Sequence, residues 1–218
     1  GAYGKRIVQM TKVLGIDAAV LEYAEDQAPD LKEIELVLAR DPSITDIAMV
    51  HCETTSGIFN PILEVGKLAR QFGKTYFVDA MSSFAAVPID FGACHIDYLV
   101  ASSNKCIEGG PGMGFVIARR SKIEKTEGVA RSLSLDLHAQ WKDLEGAGEF
   151  RFTPPIQVLL AFDQALDELE EEGGVTARAA RYRENHATLI AGMRKLGFKE
   201  YLKPEAQGYI ITSFHYMD

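Results

Sequence analysis

The sequence predicts an α/β domain built on a mostly parallel sheet, with the start of a smaller α+β domain after it. Three observations predict this. Apolar runs at residues 46–51, 75–79 and 96–102 have the length of strands. The segments before and between them carry apolar residues at helical spacing, the pattern of strand, crossover and strand. Each run ends in polar residues, and ligands of such sheets gather at the carboxyl ends of the strands.

Taken in order, residues 5–14 place Ile7, Val8, Met10, Val13 and Leu14 on one helical face, and Gly15 closes the segment. Residues 18–23 read as a strand. Asp30 is an N-cap for a helix whose apolar positions are Leu31, Ile34, Leu36, Val37 and Leu38. The strand at 46–51 follows. Pro61 opens a helix through residue 72, and Gly73 stands at its C′ position. Next come the strands at 75–79 and 96–102, then a glycine loop and a returning strand at 114–118. Polar helical turns occupy 121–128, and 132–152 is less regular. Residues 155–172 and 175–196 form two long amphipathic helices joined by Gly173-Gly174, with Glu168 to Glu172 on a solvated face. Residues 199–202 and 209–214 read as the first strands of the smaller domain. The expected division is a large domain over 1–174 and the helix and first strands of a second over 175–218.

Composition narrows the function. A chain of 218 residues with 47% hydrophobic content can bury a sizeable core. The net charge of −8, with no basic stripe, argues against a nucleic-acid partner and for a small-molecule substrate. No 18-residue apolar run is present, and residues 1–6 lack the apolar core of a signal peptide, so a soluble, cytoplasmic protein with no membrane partner is expected. Cys52, Cys94 and Cys106 are expected to be reduced thiols. His51 and His95 adjoin two of them, but Cys-x-x-Cys and His-x-x-x-His spacings are missing, and no metal site is expected.

The chemistry is carried by two strand ends. The run Thr75-Tyr76-Phe77-Val78 ends in Asp79, and the run from Tyr98 to Ser102 leads through Ser103 and Asn104 to Lys105. A lysine amine condenses with an aldehyde cofactor, and a carboxylate on a neighbouring strand can keep a pyridine nitrogen protonated, which is what pyridoxal 5'-phosphate requires. A lysine after a strand is ordinarily a surface residue and an aspartate there a turn residue. The pairing of the two points to a cofactor. Around them, Thr54 in the polar loop 51–57 could bond the cofactor's phenolic oxygen or serve as a turn residue. Asn104 could donate to its phosphate or cap the loop. Thr153, before Pro154 and Pro155, could reach a phosphate or cap a helix. The loop 109–114 lacks the Gly-Lys-Ser/Thr ending of a nucleotide-binding loop and precedes a strand, so it reads as a tight turn near Lys105.

Residues 51–57, 77–83, 102–106 and 151–153, with 132–137 and 165–170, resemble the class V branch of the fold-type I aminotransferases, which use pyridoxal phosphate. The resemblance implies that Lys105 is the cofactor-bearing lysine and Asp79 the partner of the pyridine nitrogen. It further implies that Thr54 bonds the ring oxygen, Met81 lies against one ring face and Asn104 helps to hold the phosphate. Thr153 would reach the phosphate site of a neighbouring subunit, which implies a homodimer with shared sites. The implied reaction is ping-pong transfer from an amino donor to a 2-oxo acid acceptor, with an aminophosphonate and pyruvate preferred. A serine or alanine donor with glyoxylate is the alternative, and a chain that only dimerises is another. Family members extend beyond both ends of the matching region, so the chain is expected to be a central piece. Substrate-gripping groups are then expected outside it.

Overall fold

A computed structural model describes residues 1–216. At its centre four strands lie side by side in chain order: β1 (Asp46–Val50), β2 (Thr75–Asp79), β3 (Tyr98–Ser102) and β4 (Gly114–Ala118). The first three are parallel and β4 is antiparallel to β3, so the sheet is mostly parallel as the alternation of elements predicts. Helices α1 (Ala2–Val13), α2 (Leu31–Arg40) and α3 (Ile62–Gln71) accompany the first two strands. Beyond β4 come α4 (Arg120–Ile123), α5 (Leu137–Gly146), α6 (Ile156–Glu171) and α7 (Gly174–Lys195).

The period of two along each strand divides the sheet into two faces. Tyr76, Val78, Leu99 and Ala101 point to one face and join Ile34, Leu38, Ile62, Val65 and Ala69 of α2 and α3 in the main core. Phe77 and Tyr98 point the other way and stack, with centroids 4.6 Å apart and planes at 6°. Asp79, Val100 and Ser102 continue that second face toward the carboxyl ends, because Asp79 is in register with Val100. A smaller cluster of Ala85, Ile107 and Ala165, with Phe84, Phe115, Phe162 and Leu169 around it, fastens α6 beside the loop that follows β3.

Asp30 caps α2 as predicted, accepting from the Lys32 N–H at 2.8 Å. Three expectations fail. Residues 18–23 are irregular chain rather than a strand, because among the described residues β1 pairs only with β2 and no strand lies beside the segment to complete a ladder. Residues 199–202 and 209–214 run side by side but form only an isolated bridge, Glu200 to Phe214, extended by Tyr201 N–H to Ser213 O and His215 N–H to Lys199 O. Pro204 removes a donor from the turn between them and Gly208 lends it no side chain to pack. The stretch 132–152 holds α5, started by Asp136, whose carboxylate accepts from the Ala139 N–H at 3.0 Å. Among the described residues no helix is long and apolar enough to cross a membrane.

Candidate active site

The carboxyl ends of the parallel strands are tied together by backbone. His51 N–H donates to Asp79 O at 2.8 Å, and Ala80 N–H to Val100 O at 2.9 Å, so β1 and β2 stay paired to their neighbours one residue past their ends. Three loops therefore leave the sheet from one edge: residues 51–57, 80–87 and 103–112. Thr54, Met81, Asn104 and Lys105 lie on them, and Asp79 ends β2 just before the second.

Asp79 is half-buried. One of its oxygens accepts from the Met81 N–H at 2.9 Å, and among the described residues no salt bridge reaches it. Burial pushes its carboxyl above the ordinary value, the Met81 bond opposes this, and the charge of nearby Glu53 adds to the rise. A carboxylate so placed is stabilised by a cation brought to it.

Lys105 stands exposed in a tight turn. Glu108 N–H donates to its carbonyl at 2.8 Å, and Gly109 N–H donates to Ser103 O at 2.8 Å. Ser103 is fully buried, and its hydroxyl donates to Gly110 O at 2.6 Å, which folds the glycine loop back onto the turn. A Cβ at Gly109 would lie 2.9 Å from Ser103 O, so this crossing requires glycine. The loop is thus the tight turn near Lys105 that its composition predicts. Asn104 is exposed beside the lysine.

The loop after β2 locks onto its neighbour. Thr54 Oγ1 and Ser82 Oγ share a hydrogen bond of 2.7 Å, and His51 Nδ1 and Ser83 Oγ share one of 2.8 Å. The Cys106 thiol, next to Lys105, donates to Ser82 O at 3.3 Å. Ser82 therefore touches both the loop of Thr54 and the loop of Lys105. Burial lowers the pKa of His51 to about 4, so at neutral pH it is an uncharged structural partner of Ser83. Burial likewise raises Cys106 to about 11 and Cys52 to about 12, and both thiols stay protonated.

Two features of the Asp79 face suit a planar polar ligand. Ser102 Oγ is buried without a hydrogen-bond partner, and opposite it Gly114 leaves the face bare, with Met81 Cε 3.9 Å from where a Cβ would be. A carboxylate, an idle hydroxyl and a thioether thus share one face of the sheet, and the turn carrying Lys105 begins at the end of the same strand as Ser102, groups whose chemistry fits pyridoxal phosphate.

The backbone brings Asp79, Met81, Thr54, Asn104 and Lys105 to the carboxyl end of the three parallel strands. Thr153 lies elsewhere, exposed in the loop 148–154 that also holds Arg151 and Phe152. Among the described residues no hydrogen bond joins it to the strand-end loops. Sequence reasoning missed the locking roles of Ser82 and Ser83, which only their adjacency to Asp79 hints at. It also missed Arg178, a buried arginine on α7 that contacts the lysine loop.

Residues 5–218 match the family model described as Aminotransferase class-V. The chain is 54% identical over 216 residues to a 2-aminoethylphosphonate–pyruvate transaminase of Salmonella schwarzengrund (strain CVM19633) and 53% identical to one of Salmonella typhimurium. Each match covers 99% of this chain and 59% of the relative, so the chain spans about three-fifths of the curated relatives it matches. Among solved structures, an alanine–glyoxylate aminotransferase from Nostoc sp. superposes with a TM-score of 0.90 at 24% identity, covering 99% of this chain and 58% of the other. A pyridoxamine-pyruvate aminotransferase from Mesorhizobium loti superposes with a TM-score of 0.83 at 26% identity, covering 91% and 51%.

Proposed function

This chain belongs to the class-V aminotransferase family and has its fold-type I architecture, and on that premise we propose that it carries the cofactor-binding core of a pyridoxal phosphate transaminase. The preferred reaction converts 2-aminoethylphosphonate and pyruvate to phosphonoacetaldehyde and alanine. The observation that carries this reading is the placement of Asp79 and Lys105 at the carboxyl ends of adjacent parallel strands, within a chain half identical to transaminases of that name.

In this reading Lys105 Nζ would hold the cofactor covalently, and Asp79 would keep its pyridine nitrogen protonated. Bound pyridoxal phosphate supplies an electron sink for charge that develops when a proton leaves the substrate's amine-bearing carbon. The burial that raises Asp79 favours a cationic neighbour over an unpaired carboxylate. Thr54, held by Ser82, would donate to the ring oxygen. Met81 would cover one ring face, and Asn104 would bond the phosphate. Lys105 Nζ, once displaced by the incoming amine, would carry the proton from the substrate's amine-bearing carbon to the cofactor's former aldehyde carbon, and would carry one in the opposite direction during the second half of the reaction.

Thr153 would serve a partner's site in a homodimer. Exposed Val129, Leu133, Leu135, Phe150, Phe152 and Leu160 supply apolar surface for such a contact. A cytoplasmic location accords with three buried, unpaired cysteines.

The test is borohydride reduction of the protein in pyridoxal phosphate, followed by assay of alanine formation from pyruvate. A reduced adduct on Lys105 and activity with 2-aminoethylphosphonate are expected. Strong transfer from serine or alanine to glyoxylate, with none from the phosphonate, would replace the substrate pair. Absence of any adduct would leave a chain that does no chemistry.

A further inference from the structure

Arg178, on α7, is 2% exposed, and its guanidinium is directed at the turn that carries Lys105. Its Nη1 donates to the carbonyls of both Cys106 and Ile107, each at 3.0 Å, and its Nε donates to Glu172 Oε2 at 2.7 Å. Those carbonyls belong to the two residues after Lys105, whose side chains face inward: Cys106 toward Ser82 O, and Ile107 into the cluster of Ala85 and Ala165. Side chains anchor the turn from one side and one guanidinium anchors its backbone from the other.

The charge balance keeps this clamp in place. Hydrogen bonds from Arg181 and Arg178 hold the Glu172 carboxyl at about 2, so it is ionised at neutral pH and neutralises the buried guanidinium. Glu108, which ends the turn, has φ +69, a left-handed conformation that few residues other than glycine adopt. Its carboxylate accepts from Arg181 Nη2 and from the Tyr182 hydroxyl, both at 3.0 Å. Three residues of α7 thus converge on the turn, and Arg178 holds its backbone directly.

We infer that Arg178 is a positioning residue for Lys105. By fixing the carbonyls of the next two residues it keeps the lysine backbone at one place on the end of β3, which limits the conformers from which the amine must reach the cofactor. The inference rests on the reading of Lys105 as the cofactor-bearing amine. A buried arginine serving the fold alone would change melting without changing how tightly Lys105 captures an aldehyde.

Two readouts test it on wild type, Arg178→Lys and Arg178→Met. One is amide hydrogen exchange of the cofactor-free protein, read on the segment 103–110, where the Glu108 and Gly109 amides close the turn. The other is the pyridoxal phosphate concentration giving half-maximal borohydride-trapped adduct on Lys105. In Arg178→Met, exchange of 103–110 should quicken at least about tenfold while the segments 46–50 and 75–79 stay protected, and half-saturation should rise roughly tenfold with full adduct at excess cofactor. Arg178→Lys should fall between, because an ammonium reaches the carbonyls without the planar fork. If Arg178→Met does not fold, Arg178→Lys decides by the same two readouts. Either readout within about twofold of wild type in the folded variant that decides overturns the positioning role. A wild-type protein that forms no adduct removes the amine's role, and this inference with it, whatever the exchange shows.

Discussion

The hydroxyls of Thr54 and Ser82 lie 2.7 Å apart and join the loop after β1 to the loop after β2. Ser82 is buried and its carbonyl also accepts from the Cys106 thiol, so one residue links the proposed ring-oxygen donor to the lysine turn. Ser82→Ala removes the hydroxyl and leaves the carbonyl. A neutral hydrogen bond of this kind contributes about 1 kcal/mol. The melting temperature should therefore fall by about 2–4 °C, and pyridoxal phosphate affinity, measured as half-saturation of the trapped adduct, should fall by up to about fivefold if the bond also holds Thr54 toward the cofactor. A larger affinity loss in Thr54→Ala than in Ser82→Ala would fit Thr54 touching the cofactor and Ser82 only orienting it.

Asp79→Asn separates the electrostatic role of this residue from its structural one. Asparagine can still accept from the Met81 N–H, so the turn is kept. Without cofactor the variant should melt slightly higher at pH 7, because a half-buried carboxylate with a raised pKa costs more to ionise in the folded chain than in the unfolded one. With cofactor, turnover should fall by about a hundredfold or more, since the anion that stabilises the protonated ring is gone. Adduct formation on Lys105 should persist. Near-normal turnover in Asp79→Asn would refute the role assigned to its charge.

How much of this was legible beforehand follows from which forces are local. Asp79 was legible because it ends an apolar run whose period of two fixes the face it takes, and Lys105 because it follows such a run after small polar residues. The cap at Asp30 was legible for the same reason, since its partner is two residues away. Residues 18–23 misled because a run such as Ala18-Ala19-Val20-Leu21 has strand composition, while a strand also needs a neighbour that the sequence does not display. Arg178 was illegible for a related reason. It stands among alanines, Ala177, Ala179 and Ala180, in a helix otherwise rich in charged residues, and its partners Cys106 and Ile107 are far away in the chain, so a surface arginine and a buried clamp look alike until the fold is formed.

His51 makes the acid limb of stability testable. Its ring is buried against Ser83, and its folded pKa of about 4 is below the ordinary value of 6.5. The unfolded chain therefore binds a proton as pH falls through 6.5, while the folded chain does not until about 4. Stability should decline across that window, by up to about 3 kcal/mol from this group, and be flat in this term above it. Urea unfolding of His51→Gln should start from a lower midpoint at pH 7.5, because glutamine packs less well, yet lose less between pH 6.5 and 4 than wild type. Parallel declines in the two proteins would rule out the histidine as the source.

Gly66→Ala probes the packing beneath the site. In an exposed helix this change stabilises by about 1 kcal/mol, because alanine is the better helix former. In α3 the added Cβ would come 1.8 Å from Cys94 O and 3.3 Å from Tyr76 Cε1. Backbone occupies that space, so neither a rotamer change nor a small side-chain shift relieves the overlap, and α3 or the loop 90–97 must move. Overpacking of this kind costs about 3 kcal/mol or more, which outweighs the helical gain. The net loss of roughly 2 kcal/mol should lower the melting temperature by about 4–8 °C in a chain of this size. The loop 90–97 leads directly into β3, and Asp97 within it accepts the Tyr76 N–H, so the displacement should also loosen the register that sets Asp79 beside Val100. Cofactor affinity should fall along with stability in Gly66→Ala, and a melting temperature equal to or above wild type would mean that α3 does not lie against this loop.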